Sequence, residues 1–163
     1  MNRIILVGNG FDLAHGLPTS YKNFNDWYWE RVIRKLMCCY TKSLDTPLCK
    51  IKLDETSPYT WYTWAYEIGL IQGVMTLHEA KEYLFQNTGD YIWKMHPLFE
   101  QIQSSLDYCN WVDIENEYYK LLVSYTKDKS WHSTPELLNA ELSIIRALLI
   151  EDLDRVQKHE QSY

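Results

Sequence analysis

The sequence predicts a mainly α-helical chain with one β-strand at its N-terminus. Residues 2–7 form a short apolar run that ends at a glycine, which is typical of a strand buried on both faces of a parallel sheet. Beyond Pro18, apolar residues recur every three to four positions in several separate segments, the spacing of amphipathic helices. The chain has 163 residues, which is the length of one domain and enough to bury a core.

Composition and charge exclude several classes of protein. The hydrophobic fraction is 46% and the mean hydropathy is -0.39, as expected for a soluble globular protein. The net charge is -6 and no Lys/Arg stripe is present, so no nucleic-acid partner is expected. The apolar run at 4–7 is too short for a secretion signal, and no later run is long enough to span a membrane. Four cysteines without metal-ligand spacing indicate reduced thiols, so we expect a cytoplasmic protein.

The first half of the chain predicts two helices separated by a loop. The first helix covers residues 21 to about 40, and residues 41–59 are predicted as a loop. The second helix covers residues 61–75, although Gly69 and Gly73 each weaken it by about 1 kcal/mol relative to alanine.

The later helices carry start signals. Thr76 and Glu79 form a capping-box pattern that opens a helix to about residue 86. Pro97 suits the first turn of a helix to about residue 108, and residues 110–113 lead into a further helix. Residues 133–136, Ser-Thr-Pro-Glu, start a long amphipathic helix. The prediction is therefore one strand and five or six helices, with no second strand.

Two glycine turns follow the predicted strand. Gly8 and Gly10 carry no side chain that would keep a pyrophosphate from the backbone. Leu13 stands where the dinucleotide fingerprint has its third glycine, and no P-loop lysine follows, so neither standard motif is complete. Gly16 and Pro18 make a second rigid turn, and together the two turns predict a concave frame that surrounds a ligand.

Two segments resemble the AbiH family, bacterial proteins tied to abortive phage infection. GNGFDLAHGLPTSYKNF, which begins at Gly8, resembles the N-terminal signature of that family, and WVDIE at 111–115 resembles its W-x-D-I-E element. The resemblance implies a role in antiphage defence. AbiH proteins are generally longer, with Asn-Tyr and His-Gly motifs that do not occur after residue 130 of this chain. We therefore expect residues 1–163 to be one domain, the N-terminal part of a longer AbiH-like protein, and to be inactive alone.

A more distant resemblance concerns the ligand. GNGFDLAHGLP is similar to the GAGxSxxSGIP loop of sirtuin-type NAD-binding domains, which implies a Rossmann-like α/β fold for the family. Asp12, His15 and Tyr21 depart from the sirtuin pattern, so the implied cofactor is NAD or a related nucleotide. The cofactor-binding residues implied are Gly8, Asn9, Gly10, Phe11, Asp12, Gly16, Pro18, Thr19 and Tyr21.

The candidate catalytic residues each have a second interpretation. Asp113 and Glu115 suit acid/base or ribose-binding roles near the glycine loop, but Asp113 could instead cap a helix. Glu115 and Glu117 could simply be solvated or paired with lysines. His15 could bond a ligand or be an ordinary loop residue, and Asp12 could bind a ribose or cap a short helix.

Two functions remain open from the sequence. The first is a nucleotide-binding antiphage protein, whose possible reaction is NAD-type hydrolysis once a second half completes it. The second is a non-enzymatic helical protein-interaction module, whose glycine turn is structural and whose aromatic faces bind a partner. Self-association or the missing half is expected to cover exposed apolar surface, and the histidines have no metal-ligand spacing, so no metal is expected. The tryptophans at 61, 64 and 93 are predicted to be core or interface residues.

Overall fold

The structure is a computed structural model that describes residues 18–87, 91–109, 113–127 and 134–160. This part is mainly helical, with a small sheet. Its helices are α1 (Tyr21–Leu36), α2 (Trp61–Glu67), α3 (Leu77–Gln86), α4 (Pro97–Cys109), α5 (Ile114–Lys127) and α6 (Pro135–Glu160). Its strands are β1 (Ser43–Asp45), β2 (Cys49–Leu53) and β3 (Tyr91–Met95). The strand predicted at 2–7 lies outside the described residues.

The three strands form one antiparallel sheet in the order β1-β2-β3, and they correct two predictions. Residues 41–59 are not only a loop, and further strands do follow residue 7. In β2 the side chains of Cys49, Ile51 and Leu53 are buried and Lys50 is exposed, which is the period of a half-buried strand. This strand is short and its partner β3 lies far along the chain, with Ile51 opposite Trp93. The described strands pair only antiparallel, so the parallel sheet of a Rossmann-like fold is not among them.

A polar network ties α1 to the β1–β2 turn. The Tyr28 hydroxyl lies 2.8 Å from Thr46 Oγ1 and accepts the Leu48 N–H at 3.2 Å. Thr46 Oγ1 in turn accepts the Cys49 N–H at 3.1 Å. Because these backbone N–H groups have hydrogen-bond acceptors within the protein, the turn can pack on α1 without the free-energy penalty of buried, unpaired donors.

The core is strongly aromatic around α1. Trp29 is fully buried, and its indole N–H donates to Gln103 Oε1 at 3.1 Å. The Trp29 ring meets Phe85 edge-on at 4.9 Å and Phe99 at 6.2 Å, distances at which aromatic pairs stabilise a core. Trp61 and Trp64 are also buried and Trp93 packs against the core, which confirms the prediction that these three tryptophans are core or interface residues.

Glycine ends α2 earlier than predicted. The helix stops at Glu67, and the peptide N–H of Ile68 closes its last turn. Gly69 and Gly73 have φ values of 81° and 72°, a backbone region that favours glycine and that commonly follows a helix C-cap. The predicted helix over 61–75 is therefore wrong after Glu67, because both glycines serve turns rather than a helix interior.

The other helices begin as predicted. Thr76 and Glu79 form the capping box of α3, and α4 begins at Pro97. Thr134 Oγ1 accepts the Leu137 N–H at 3.3 Å at the start of α6. Helix α1 ends at Leu36, four residues before the predicted end at 40. Helices α4, α5 and α6 pack against one another, and among the residues described no helix is long and apolar enough to cross a membrane.

Candidate functional site

Most of the predicted nucleotide-binding residues lie outside the part of the chain that the structure describes. They are Gly8, Asn9, Gly10, Phe11, Asp12 and Gly16, and the catalytic candidate His15 lies there too. Pro18, Thr19 and Tyr21 are described, and they connect this loop directly to α1.

The start of α1 is closed by a capping box. The hydroxyl of Ser20 accepts the Asn23 N–H at 3.1 Å, and Asn23 Oδ1 accepts the Ser20 N–H at 3.3 Å. The glycine loop therefore runs into a helix N-terminus, the positive end of the helix dipole. Tyr21 packs edge-on against Phe24 at 5.6 Å, and burial raises the pKa of its phenol to about 12. Tyr21 is thus a neutral hydroxyl at physiological pH.

Asp113 is the N-cap of α5. Its Oδ1 accepts the Asn116 N–H at 3.0 Å, so the capping interpretation of this residue is confirmed. Asp113 and Glu115 are both exposed at the start of α5. Their distance from the glycine loop stays a prediction, because that loop is outside the described residues.

Glu117 pairs with a lysine but is not solvated. Its Oε1 lies 2.8 Å from Lys120 Nζ, which confirms the predicted lysine pairing. The side chain is buried, however, and Oε2 has no hydrogen-bond partner among the described residues. A buried carboxylate oxygen without a partner costs folding free energy, so the burial of Glu117 is only partly offset by its pair with Lys120.

A pocket of about 490 Å³, with a mostly apolar lining and several polar groups, lies between the sheet and the helices α4–α6. We call it the sheet–helix pocket, and its polar lining includes Cys49, Lys94, His96, Tyr125 and Glu141. Carboxyl, imidazole and phenol groups that meet in a cavity are the groups that move protons in enzymes. None of them was a candidate from the sequence.

Glu141 has a structural role in this pocket. It is only 8% exposed, and its Oε2 accepts the Leu98 N–H at 3.0 Å. Helix α6 therefore caps the N-terminus of α4. Burial raises the pKa of Glu141, while the Leu98 N–H and the nearby His96 oppose that shift. Burial, followed by the charge of Glu141, also raises the pKa of Tyr125.

The sequence did contain a signal for Glu141. The residue lies in the buried stripe of α6, between Leu138 and Ile145 at helical spacing. A carboxylate in an apolar stripe needs a partner, and that observation would have marked it. The sequence around His96 and Cys49 shows no such pattern. Both residues lie at or next to the ends of strands, where no helical spacing marks them.

A second pocket, of about 600 Å³, lies beside α2 and the loop after β2. We call it the aromatic pocket, and its lining includes Tyr59, Trp64, Tyr83, Asp54 and Glu67. In the described ranges no group of three or more His, Cys, Asp and Glu side chains is placed to hold a metal ion.

Comparison with known proteins identifies the family. A sequence profile described as bacteriophage abortive infection AbiH matches residues 4–161. No significant match was found among curated proteins or among solved structures. The profile spans both segments whose motifs resemble AbiH and all of the helices that the structure describes. The family description suggests a role in phage abortive infection. The chain therefore belongs to the AbiH family.

Proposed function

We propose that this protein is a cytoplasmic antiphage protein whose N-terminal loop, residues 8–21, binds NAD or a related nucleotide. The observation that carries the proposal is a sequence feature: the two glycine motifs, Gly8-Asn9-Gly10 and Gly16-Leu17-Pro18, directly precede the capped start of α1. Glycines let the backbone approach phosphates, and a helix N-terminus attracts them.

The residues of the loop have distinct parts in this proposal. Gly8, Gly10 and Gly16 leave room for the pyrophosphate. Asp12 bonds a ribose hydroxyl, and the neutral phenol of Tyr21 offers a hydrogen bond beside it. The Rossmann-like surroundings of such a loop need parallel strands, which we propose come from the N-terminal strand and from the second half of a longer AbiH-like protein.

The test is the thermal unfolding of the purified chain with NAD, ADP-ribose or ATP. We expect a ligand-dependent increase in Tm, because a ligand that binds only the native state stabilises it. Gly10→Val should abolish the increase, since the added side chain fills the space for the phosphates. Val74→Ala is the control at a position that is 82% exposed, and it should keep the full increase.

Catalysis is a separate part of the proposal. We expect no NAD hydrolysis by this chain alone, because its candidate acid Asp113 is engaged as a helix cap and the family's Asn-Tyr and His-Gly motifs do not occur after residue 130. Measurable hydrolysis by the purified chain would contradict this, and loss of that activity in Glu115→Gln would then point to Glu115.

A protein-interaction module is the second candidate function. It is favoured by exposed aromatic surface: Tyr40 is 70% exposed and stacks on Tyr62 at 4.7 Å, and Tyr119 is also exposed. If none of the three nucleotides raises the Tm, this function replaces nucleotide binding. Self-association would cover such surface, and light scattering at high concentration should then give a mass above 19.5 kDa.

A further inference from the structure

We propose that the aromatic pocket is a binding site for an organic cation, an alkylated ammonium or a guanidinium group. In the part of the chain that the structure describes, its lining comes from the end of β2, from α2 and α3 and from the residues that adjoin α2, and it includes no residue of the glycine loop at 8–16.

Aromatic rings form its walls. Trp64 and Tyr83 both line the pocket, with ring centroids 6.2 Å apart and planes inclined by 54°. Trp64 is held in place by the fully buried Trp61, edge-on at 5.3 Å. Tyr59 is 42% exposed and lines the same pocket. The negative faces of such rings attract a cation within about 6 Å.

The charges of the lining have one sign. Asp54 and Glu67 both line the pocket, and among the residues that the structure describes no lysine or arginine lines it. Glu67 has no ion-pair partner among the described residues, and the last turn of its helix holds no basic residue. The nearby Lys52 pairs instead with Glu55.

Asp54 is held in its charged form. Its Oδ1 accepts the Thr56 N–H at 2.8 Å and also the Thr56 hydroxyl. These hydrogen bonds, together with the charges of Lys42 and Lys52, keep the pKa of Asp54 below its usual value. The carboxylate is therefore negatively charged across the neutral pH range.

The apolar part of the lining selects the kind of cation. Leu53, Pro58 and Ile68 contribute to the walls, and they would contact alkyl groups but offer nothing to a hydrated metal ion. A volume of about 600 Å³ is in the range of small-molecule sites. The same chemistry fits a free quaternary amine and the arginine or methylated lysine side chain of a partner protein.

The experiment is a ¹H–¹⁵N NMR titration of the full chain with choline chloride, at ionic strength matched with NaCl. The neutral isostere 3,3-dimethylbutan-1-ol is titrated in parallel. We expect saturable shifts at residues 54–68 and 83, with choline binding about fivefold or more tightly than the alcohol. A peptide that carries one arginine is compared with its citrulline analogue, which tests the partner side chain as the source of the cation.

Two variants test the walls and the charge separately. Tyr59→Ala and Glu67→Gln alter exposed side chains, so both should fold, and each should weaken cation binding about fivefold. Tyr66→Ala is the matched control, since Tyr66 lies on α2 next to Glu67, is 52% exposed and does not line the pocket. Binding of either cation with these variant effects supports the proposal.

The proposal fails if neither cation gives saturable shifts, if the neutral analogues bind equally well, or if both variants bind like the wild type. Gly10→Val should leave cation binding unchanged. Failure here is therefore distinguishable from failure of the nucleotide site.

Discussion

The starts of α4 and α5 satisfy the same chemical need in two different ways. A helix N-terminus leaves backbone N–H groups without intrahelical partners, and in both helices a carboxylate accepts one of them. At α5 the carboxylate is Asp113, exposed and three residues from the donor Asn116. At α4 it is Glu141, buried and 43 residues from the donor Leu98.

The difference shows what a capping residue from another helix adds to the fold and what it costs in free energy. The local cap fixes one helix end and stays in water, so its charge has no large desolvation cost. The distant cap joins α6 to α4 and helps to fix their packing, but burial disfavours its charged form. Removal of each carboxylate should therefore lower the free energy of unfolding by a different amount and with a different pH dependence.

The largest effect is expected for Glu141→Ala. This change leaves the buried Leu98 N–H without its acceptor and opens a gap in the stripe of α6. We expect the free energy of unfolding in urea to fall by about 1–3 kcal/mol. Glu141→Gln keeps an acceptor oxygen, so its free energy of unfolding should fall much less at neutral pH. Equal losses in both variants would show that the Leu98 hydrogen bond is not the cause.

The next largest effect is the pH dependence of the stability that Glu141 contributes. The folded-state pKa of Glu141 lies above its ordinary value of 4.5. The stability that the protonated group contributes is therefore fully present below about pH 4.5 and is lost as the pH rises through the folded pKa. In urea titrations across this range, wild type should lose stability relative to Glu141→Gln as the pH rises.

Glu79 is a control for this pH dependence, because its pKa shifts in the opposite direction. Its pKa is lowered, chiefly by the Thr76 N–H of the exposed capping box of α3. Its contribution should therefore be present above pH 4.5 and be lost as the pH falls. Glu79→Gln should give the opposite trend relative to wild type, and the same trend in both variants would contradict the assignment.

A smaller effect is expected for Asp113→Ala, about 1 kcal/mol, which is typical of a lost exposed N-cap. Asp113→Asn keeps the acceptor and should recover most of the stability in the same urea measurement. A loss well above 2 kcal/mol would mean that Asp113 also makes tertiary contacts.

The smallest effect is expected for Glu115→Ala. Glu115 is exposed on α5 next to the cap, and a surface substitution of this kind changes stability by about 0.5 kcal/mol or less. A larger loss in thermal or urea unfolding would contradict this and show that Glu115 makes a stabilising tertiary contact.

Most helices could be predicted from the sequence because their signals are local. The Thr76 and Glu79 pattern, Pro97 and Thr134 each act within one turn of the helix they start. The strands could not be predicted in this way. Residues 49–53 become a strand by pairing with residues 91–95, and a five-residue pattern does not reveal a partner at that distance.

The sequence by itself determined the family, through GNGFDLAHGLPTSYKNF and WVDIE, together with the helical character and the ends of most helices. Only the tertiary structure decided where the carboxylates act. It buried Glu141 against the start of α4 and placed Asp54 and Glu67 among aromatic rings, whereas the cap at Asp113 is local and was one of the two sequence interpretations. The physical reason is range: capping and periodicity act over three or four residues, whereas burial and charge environment depend on whatever segments of the chain the fold brings together.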